Sequence, residues 1–216
     1  MILIVGLGNP GEQYENTRHN LGFMAVQRFL DTFETARQNL LTKNDKLKSL
    51  VAQIEWQPKN SKAKRLIVAL PQTYMNNSGM AVSLLANYYK IDPSDIWIIH
   101  DELDLPIGSM RIRFGGAAAG HHGVESIIED LGTDKFWRFR LGIGLSHHHI
   151  GREVRERGKE EVISRQKLGN LDHYVLTPFS EEDHGKAREL LKHTVSALQY
   201  ALEKDLEAAM NRYNTK

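Results

Sequence analysis

The chain has no cysteine among its 216 residues. That absence excludes disulfides, a thiol nucleophile and every cysteine-based zinc site, and it fits a reducing cytosol. Long apolar runs are missing too. Nothing approaches the roughly 20 residues that a membrane helix needs. Met1 leads straight into Ile2-Leu3-Ile4-Val5, without the basic and apolar regions of a signal peptide. A cytoplasmic protein with no membrane partner is expected. Charge of one sign is also lacking: 28 basic against 27 acidic residues leave a net +1. Bulk charge therefore names no partner, and any nucleic-acid footprint must come from where the cations lie. The composition, 41% hydrophobic and 25% charged, is that of a globular rather than a disordered chain. No internal repeat or linker divides it, so one domain over residues 1–216 is expected.

The apolar run at residues 2–5 predicts a buried strand, stopped by the glycine-rich loop Gly6-Leu7-Gly8-Asn9-Pro10-Gly11. Phe23, Val26, Leu30 and Phe33 recur at helical spacing and predict a helix over about 22–36. A weak strand is expected at 50–56 within a basic, solvated stretch, and a second buried strand at 66–70. Ser78 is placed as the N-cap of a helix carrying Val82, Leu85 and Tyr89 inward. Ile96-Trp97-Ile98-Ile99 is a third apolar strand, ending at His100-Asp101. Half-exposed strands at 110–114 and 138–143 flank a helix bearing Val124, Ile127, Ile128 and Leu131. A long C-terminal helix is expected over 181–213, opened by a Ser180–Asp183 capping box. Strands alternating with helices predict an α/β fold: a three-layer sandwich with a mixed, mainly parallel central sheet flanked by helices.

Gly6-x-Gly8-x-x-Gly11 after a strand matches the dinucleotide fingerprint, and Asp31 falls about 20 residues on, as that motif expects. The context rejects it. The fingerprint needs a helix starting inside the glycines so that its N-terminus meets the pyrophosphate. Here the helical pattern begins only after Gly22, and Asp31 lies on that helix instead of ending a second strand.

Ligands of open α/β sheets bind beyond the carboxyl ends of the strands. The first strand delivers Asn9, with Tyr14, His19 and Asn20 following; the second delivers Tyr74-Met75-Asn76-Asn77; the third delivers Asp101. If those strands are parallel neighbours, one rim collects a histidine, an aspartate and two asparagines. A neutral His19 would take a proton from water, with Asp101 fixing its tautomer. The asparagine amides would donate to a carbonyl oxygen and to the oxyanion that develops on it. With no cysteine and no serine in a nucleophile elbow, water is the nucleophile, and the expected class is hydrolysis of an activated acyl compound such as an ester. Taken singly, each of these residues is better explained as an ordinary turn, cap or solvated side chain.

Four blocks of the sequence resemble the bacterial peptidyl-tRNA hydrolase family, in family order. They are Gly6 to Gly11 with Tyr14 and Thr17-Arg18-His19-Asn20-x-Gly22; Pro71-Gln72-Thr73-Tyr74-Met75-Asn76-Asn77-Ser78-Gly79; His100-Asp101-Glu102-Leu103-Asp104-Leu105-Pro106-x-Gly108 with Gly115-Gly116; and Arg140-Leu141-Gly142-Ile143-Gly144. The resemblance implies hydrolysis of the ester joining a peptide to the 3′-terminal ribose of tRNA, by a monomer using no metal or cofactor. By position it makes His19 the catalytic base and Asp101 its partner. Asn9, Tyr14, Met75, Asn76, His121 and His122 become the substrate-binding residues.

Two departures from the family pattern stand out. Gly120-His121-His122-Gly123 replaces a Gly-His-Asn-Gly block and follows Ala117-Ala118-Ala119 where glycines are usual, which stiffens that loop. The segment 147–168 is longer than the family's lid region and carries Arg152, Arg155, Arg157, Lys159, Arg165 and Lys167.

A tRNA partner needs cations near the cleft for its acceptor stem and 3′ end. Arg111 with Arg113, and Arg138 with Arg140, each at i, i+2 on a strand, are the expected phosphate contacts; a plain solvent face explains the spacing almost as well. His147-His148-His149 cannot all face one ion, so no metal site is expected there. The alternative to an enzyme is a non-catalytic RNA-binding relative of the splicing-factor type. Its organellar forms call for a transit peptide that this chain lacks.

Overall fold

The structure, a computed structural model, describes residues 1–33, 40–58, 62–144 and 171–214. Seven strands form one sheet in the order β2-β3-β4-β1-β5-β7-β6. They are β1 (Ile2–Gly6), β2 (Thr42–Asn44), β3 (Ser49–Trp56), β4 (Lys64–Pro71), β5 (Ile96–Pro106), β6 (Met110–Phe114) and β7 (Trp137–Gly144). The central pairs β4·β1, β1·β5 and β5·β7 are parallel. The outer pairs β2·β3, β3·β4 and β6·β7 are antiparallel.

Alternation along the central strands divides the core between two faces. On one face Ile4, Val68, Trp97, Ile99, Phe139 and Leu141 meet α1 (Leu21–Leu30), α5 (Glu181–Glu203) and α6 (Leu206–Tyr213). On the other, Leu3, Val5, Ile67, Ala69, Ile96 and Ile98 meet α2 (Ser78–Tyr89) and α3 (His122–Leu131). The result is the expected three-layer sandwich. Phe29 and Phe139 have no accessible surface, and each such burial contributes about 1.5–3 kcal/mol.

Register puts the ends of the three apolar strands side by side: Val5 pairs with Ala69 of β4, and Gly6 with Ile99 of β5. The loops after β1 and β4 therefore open at the same rim as residues 100–101. α1 starts hard against this rim. Phe23 N–H donates to Leu7 O at 3.1 Å and Leu7 N–H to Ile99 O at 2.9 Å. Only glycine fits at position 22, since a Cβ there would lie 2.3 Å from Ile99 O.

Several expected boundaries move. The first helix ends at Leu30, with Asp31 as its C-cap, and residues 34–39 of the expected span lie outside the described residues. The 181–213 helix is two helices. Its backbone breaks at Lys204, and Asp205 caps α6 by accepting from Ala208 N–H at 2.6 Å. Ser78 is the first residue of α2, not its cap; Asn77 holds that place. Ser180 and Asp183 do meet, but hydroxyl to carboxylate at 2.8 Å, with no side-chain bond from Ser180 to the backbone. β5 runs on through polar residues to Pro106. The short strand β2 and the single-turn helix α4 (Leu171–Val175) carry no periodicity that announces them. The 147–168 segment, with His147-His148-His149, lies outside the described residues.

Candidate active site

The turn after β1 folds into two short 3₁₀ turns, Glu12–Tyr14 and Arg18–Asn20, before α1 begins. No helix starts among the glycines, which agrees with rejecting the dinucleotide motif. Arg18, His19 and Asn20 are all buried in the second turn. Asn20 grips the loop that precedes it: its Oδ1 accepts from Asn9 N–H at 2.8 Å and its Nδ2 donates to Asn9 O at 2.9 Å. Asn9 in turn accepts through Oδ1 from Met75 N–H at 2.8 Å. That bond joins the β1 loop to the 3₁₀ turn Met75–Asn77 and leaves the Asn9 Nδ2 a donor with no acceptor among the described residues.

His19 and Asp101 are brought together. The Nδ1 of His19 lies 2.9 and 3.0 Å from the two carboxylate oxygens of Asp101. A nitrogen facing a carboxylate carries the proton, so Nε2 is left with a lone pair to act as base. Asp101 holds a second imidazole as well, with His121 Nε2 3.0 Å from Oδ1. His121 caps α3, its Nδ1 accepting from Val124 N–H at 3.3 Å. Its tautomer is thereby set, with the proton on Nε2 directed at Asp101. A third imidazole, His100, is 1% exposed and stacks edge-on against His121 at 4.7 Å between centroids. Its Nδ1 donates to Asp101 O at 2.6 Å, while its buried Nε2 has no partner among the described residues.

The electrostatics follow from this packing. Burial pushes the pKa of His19 down, but the charge and hydrogen bond of Asp101, with a smaller contribution from Asp172, outweigh it and leave the group above its usual 6.5. Burial pushes the Asp101 carboxyl up, and the two imidazoles reverse this, holding it well below the usual carboxylate range. For His100 burial dominates and keeps the ring neutral. His19, Asp101 and His121 each offer one ligand atom, all within 4.8 Å of one another. A cation would fit that spacing, yet His121 Nε2 carries a proton fixed by Val124, which suits the cluster to proton transfer.

The other expected residues sit around this centre. Met75 is 5% exposed, its sulfur so close to Gly123 that a Cβ there would come within 2.5 Å. Asn76 is exposed and its amide makes no hydrogen bond among the described residues. Tyr14 ends the first 3₁₀ turn, half-buried. His122 points away from the cluster, its side chain 63% exposed and its Nδ1 3.2 Å from Glu125 Oε2. The loop ahead of it turns through positive φ at Gly115, Gly116, Ala119 and Gly120.

The arginine pairs divide. Arg138 is 2% exposed, and its guanidinium donates to the carbonyls of Gly115, Gly116 and Ala117. Burial, then the nearby charges of Arg113 and Arg140, push its pKa down to about 10. It is a strut for the glycine loop, and the phosphate contact expected of it has no access. Arg111 is tied to the carbonyl of Asn214. Arg140 pairs with Glu102 at 3.0 Å. Arg113 is exposed, its guanidinium lying over Gly116.

Arg18, Asn20 and Asp172 are residues that the sequence reading gave no role. Arg18 stands beside His19 in the Thr17-Arg18-His19-Asn20 block, which was its one signal; Asn20 shares that block and also follows the first strand onto the rim. Asp172 had none.

A histidine–aspartate pair at the carboxyl rim of an α/β sheet, with carboxamides beside it and no serine or threonine hydroxyl bonded to the pair among the described residues, defines a hydrolase that works through water. The chain belongs to the peptidyl-tRNA hydrolase family, whose sequence profile matches residues 3–216. It is 38% identical over 214 residues to the peptidyl-tRNA hydrolase of Trichodesmium erythraeum, covering 99% of this chain and 88% of that one. To that of Lactobacillus delbrueckii subsp. bulgaricus it is 41% identical over 216 residues, covering 99% and 100%. The crystal structure of peptidyl-tRNA hydrolase from Acinetobacter baumannii matches with a TM-score of 0.79 and 30% identity over 100% of this chain and 95% of that one. No helix among the described residues is long and apolar enough to cross a membrane.

Proposed function

We propose that the chain hydrolyses the ester between a peptide and the 3′-terminal ribose of tRNA, with His19 as the base that activates water. The observation carrying this reading is the His19–Asp101 contact, which commits Nδ1 to the carboxylate and frees Nε2. Nε2 takes a proton from water, and the resulting hydroxide adds to the ester carbonyl carbon. The negative charge of the oxyanion falls to the Asn9 and Asn76 amides, whose donors face no acceptor among the described residues. The tetrahedral intermediate then expels the ribose oxygen, which takes the proton back from the His19 imidazolium. Asp101 steadies that imidazolium and His121 steadies Asp101. General-base help of this kind is worth roughly 10²–10⁴-fold.

Tyr14 and Met75 line the cleft where the peptide end lies, and His121 and His122 flank it. Arg113, exposed on β6, would meet acceptor-stem phosphates near the 3′ end, with Arg140 of β7, which pairs with Glu102, in a secondary part. Arg111 is a lesser contact. The protein acts as a single domain and a monomer and needs no metal or cofactor.

The test is incubation of an N-acetylated aminoacyl-tRNA and its free-amine counterpart with the protein, with and without a chelator. Release of the acetylated amino acid, unaffected by the chelator, is expected. Tight RNA binding without release would instead make the chain a non-catalytic RNA-binding relative.

A further inference from the structure

We propose that Arg18 is a positioning residue for His19: its guanidinium fastens the turn that bears His19 to residues 174–178, and with them the single helical turn that carries Asp172. The proposal rests on His19 being the base.

Arg18 is 7% exposed, which removes it from contact with a nucleic acid. One of its nitrogens, Nη1, lies 2.6 Å from Thr177 Oγ1, 2.8 Å from Pro178 O, 3.1 Å from Thr177 O and 3.3 Å from Tyr174 O. The guanidinium carbon sits 4.3 Å from the centre of the Tyr174 ring and 5.4 Å from that of Phe179. Every one of these partners belongs to a stretch more than 150 positions further along the chain. The backbone repeats the link: Arg18 N–H donates to Thr177 O at 3.1 Å, and Thr17 forms an antiparallel bridge with Pro178. The far side is itself anchored, with Tyr174 Oη donating to Ile143 O of β7 at 2.6 Å.

A planar fork that can both donate to several carbonyls and stack on aromatic faces is a property of arginine, not lysine. Burying a guanidinium is unfavourable unless its donors are met; here neutral acceptors meet those of Nη1, the aromatic faces of Tyr174 and Phe179 flank the group, and the buried Nε has no partner among the described residues. What the clamp positions is α4. Asp172 belongs to that single turn, two residues before Tyr174, and its charge favours the protonated form of His19 in the same sense as that of Asp101. The imidazolium that forms when water is deprotonated is thus paired with Asp101 of β5 and favoured at longer range by the charge of Asp172 of α4; His121 ahead of α3, and Arg18, His173 and Tyr174 along the clamp, are further titratable groups on the elements around it. Asp172 is exposed, so its effect weakens as salt screens it.

The experiment is an NMR titration of the His19 ring in the full chain, with the pH profile of single-turnover hydrolysis, for wild type, Arg18→Lys, Asp172→Asn and the double variant. Asp172→Asn is expected to lower the His19 pKa. Arg18→Lys is expected to lower it as far, and the double variant no further than either alone. The plateau rate of each is expected to fall several-fold at unchanged RNA affinity. A lowered melting temperature for Arg18→Lys with the His19 titration left in place would overturn the proposal, as would two shifts that simply add. Should Arg18→Lys fail to fold, Thr177→Val removes the nearest acceptor, together with that hydroxyl's bond to Tyr174 O, and must also lower the His19 pKa; an unmoved titration there counts against the clamp. If the shifts occur but His19→Ala still hydrolyses substrate, the clamp stands and the role of His19 as base does not.

Discussion

The His19 Nδ1 stands nearly equidistant, 2.9 and 3.0 Å, from the two oxygens of the Asp101 carboxylate. Neither oxygen is reached by water to any extent, since Asp101 is 2% exposed. The pair therefore fixes both the tautomer and the affinity of His19 for a proton.

Replacing Asp101 by Asn leaves the burial of His19 and removes most of what opposes it. The His19 pKa falls, and the acid limb of the pH–rate profile moves to lower pH. The plateau rate drops by about 10²–10⁴-fold. The same change has a sign in stability. Because the Asp101 carboxyl is held low in the folded state, its contribution is present above its unfolded value of 3.8 and is lost as pH falls below that value. Asp101→Asn should flatten that loss. Urea midpoints measured from pH 2 to 5 check it.

Arg138 and Arg113 should separate cleanly. Arg138→Met strips the donor from three carbonyls of the 115–117 loop and should cost about 3 kcal/mol or more of stability, read by denaturant unfolding. Arg113→Ala should leave stability unchanged and weaken RNA binding. The slope of log affinity against log salt then falls by about one phosphate contact.

Gly22→Ala drives a methyl group into Ile99 O. The start of α1 must lift from the sheet, and His19 lies two residues before it. A loss of about 1–3 kcal/mol is expected, together with a fall in rate at unchanged RNA affinity.

His122 points outward, so its departure from the family pattern should matter little to folding. His122→Asn should shift stability by less than about 0.5 kcal/mol. Its effect on kcat/KM should stay within about tenfold, near 1.4 kcal/mol, as steady-state kinetics will show.

The central sheet was legible because four of its strands are apolar on both faces or alternate strictly, and that pattern survives any context. β2 was not, since Thr42-Lys43-Asn44 is an edge strand defined only by its partner. The break at Lys204 carries no glycine or proline; only Asp205, a good cap, marks it. Within the site, His19, Asp101, Asn9 and Asn76 could be named from strand ends and from the family blocks. The triple use of Asp101 O and both carboxylate oxygens by His19, His100 and His121 could not. It depends on where three separate segments converge. Arg138 misled for a related reason, because spacing along a strand shows which residues share a face but not whether a loop covers it.

The most direct test is single-turnover cleavage of an N-blocked aminoacyl-tRNA by wild type and His19→Ala, with RNA binding measured on the same preparations. The account predicts that His19→Ala binds RNA as wild type does and cleaves at least about 10²-fold more slowly. Cleavage by His19→Ala at the wild-type rate would contradict it.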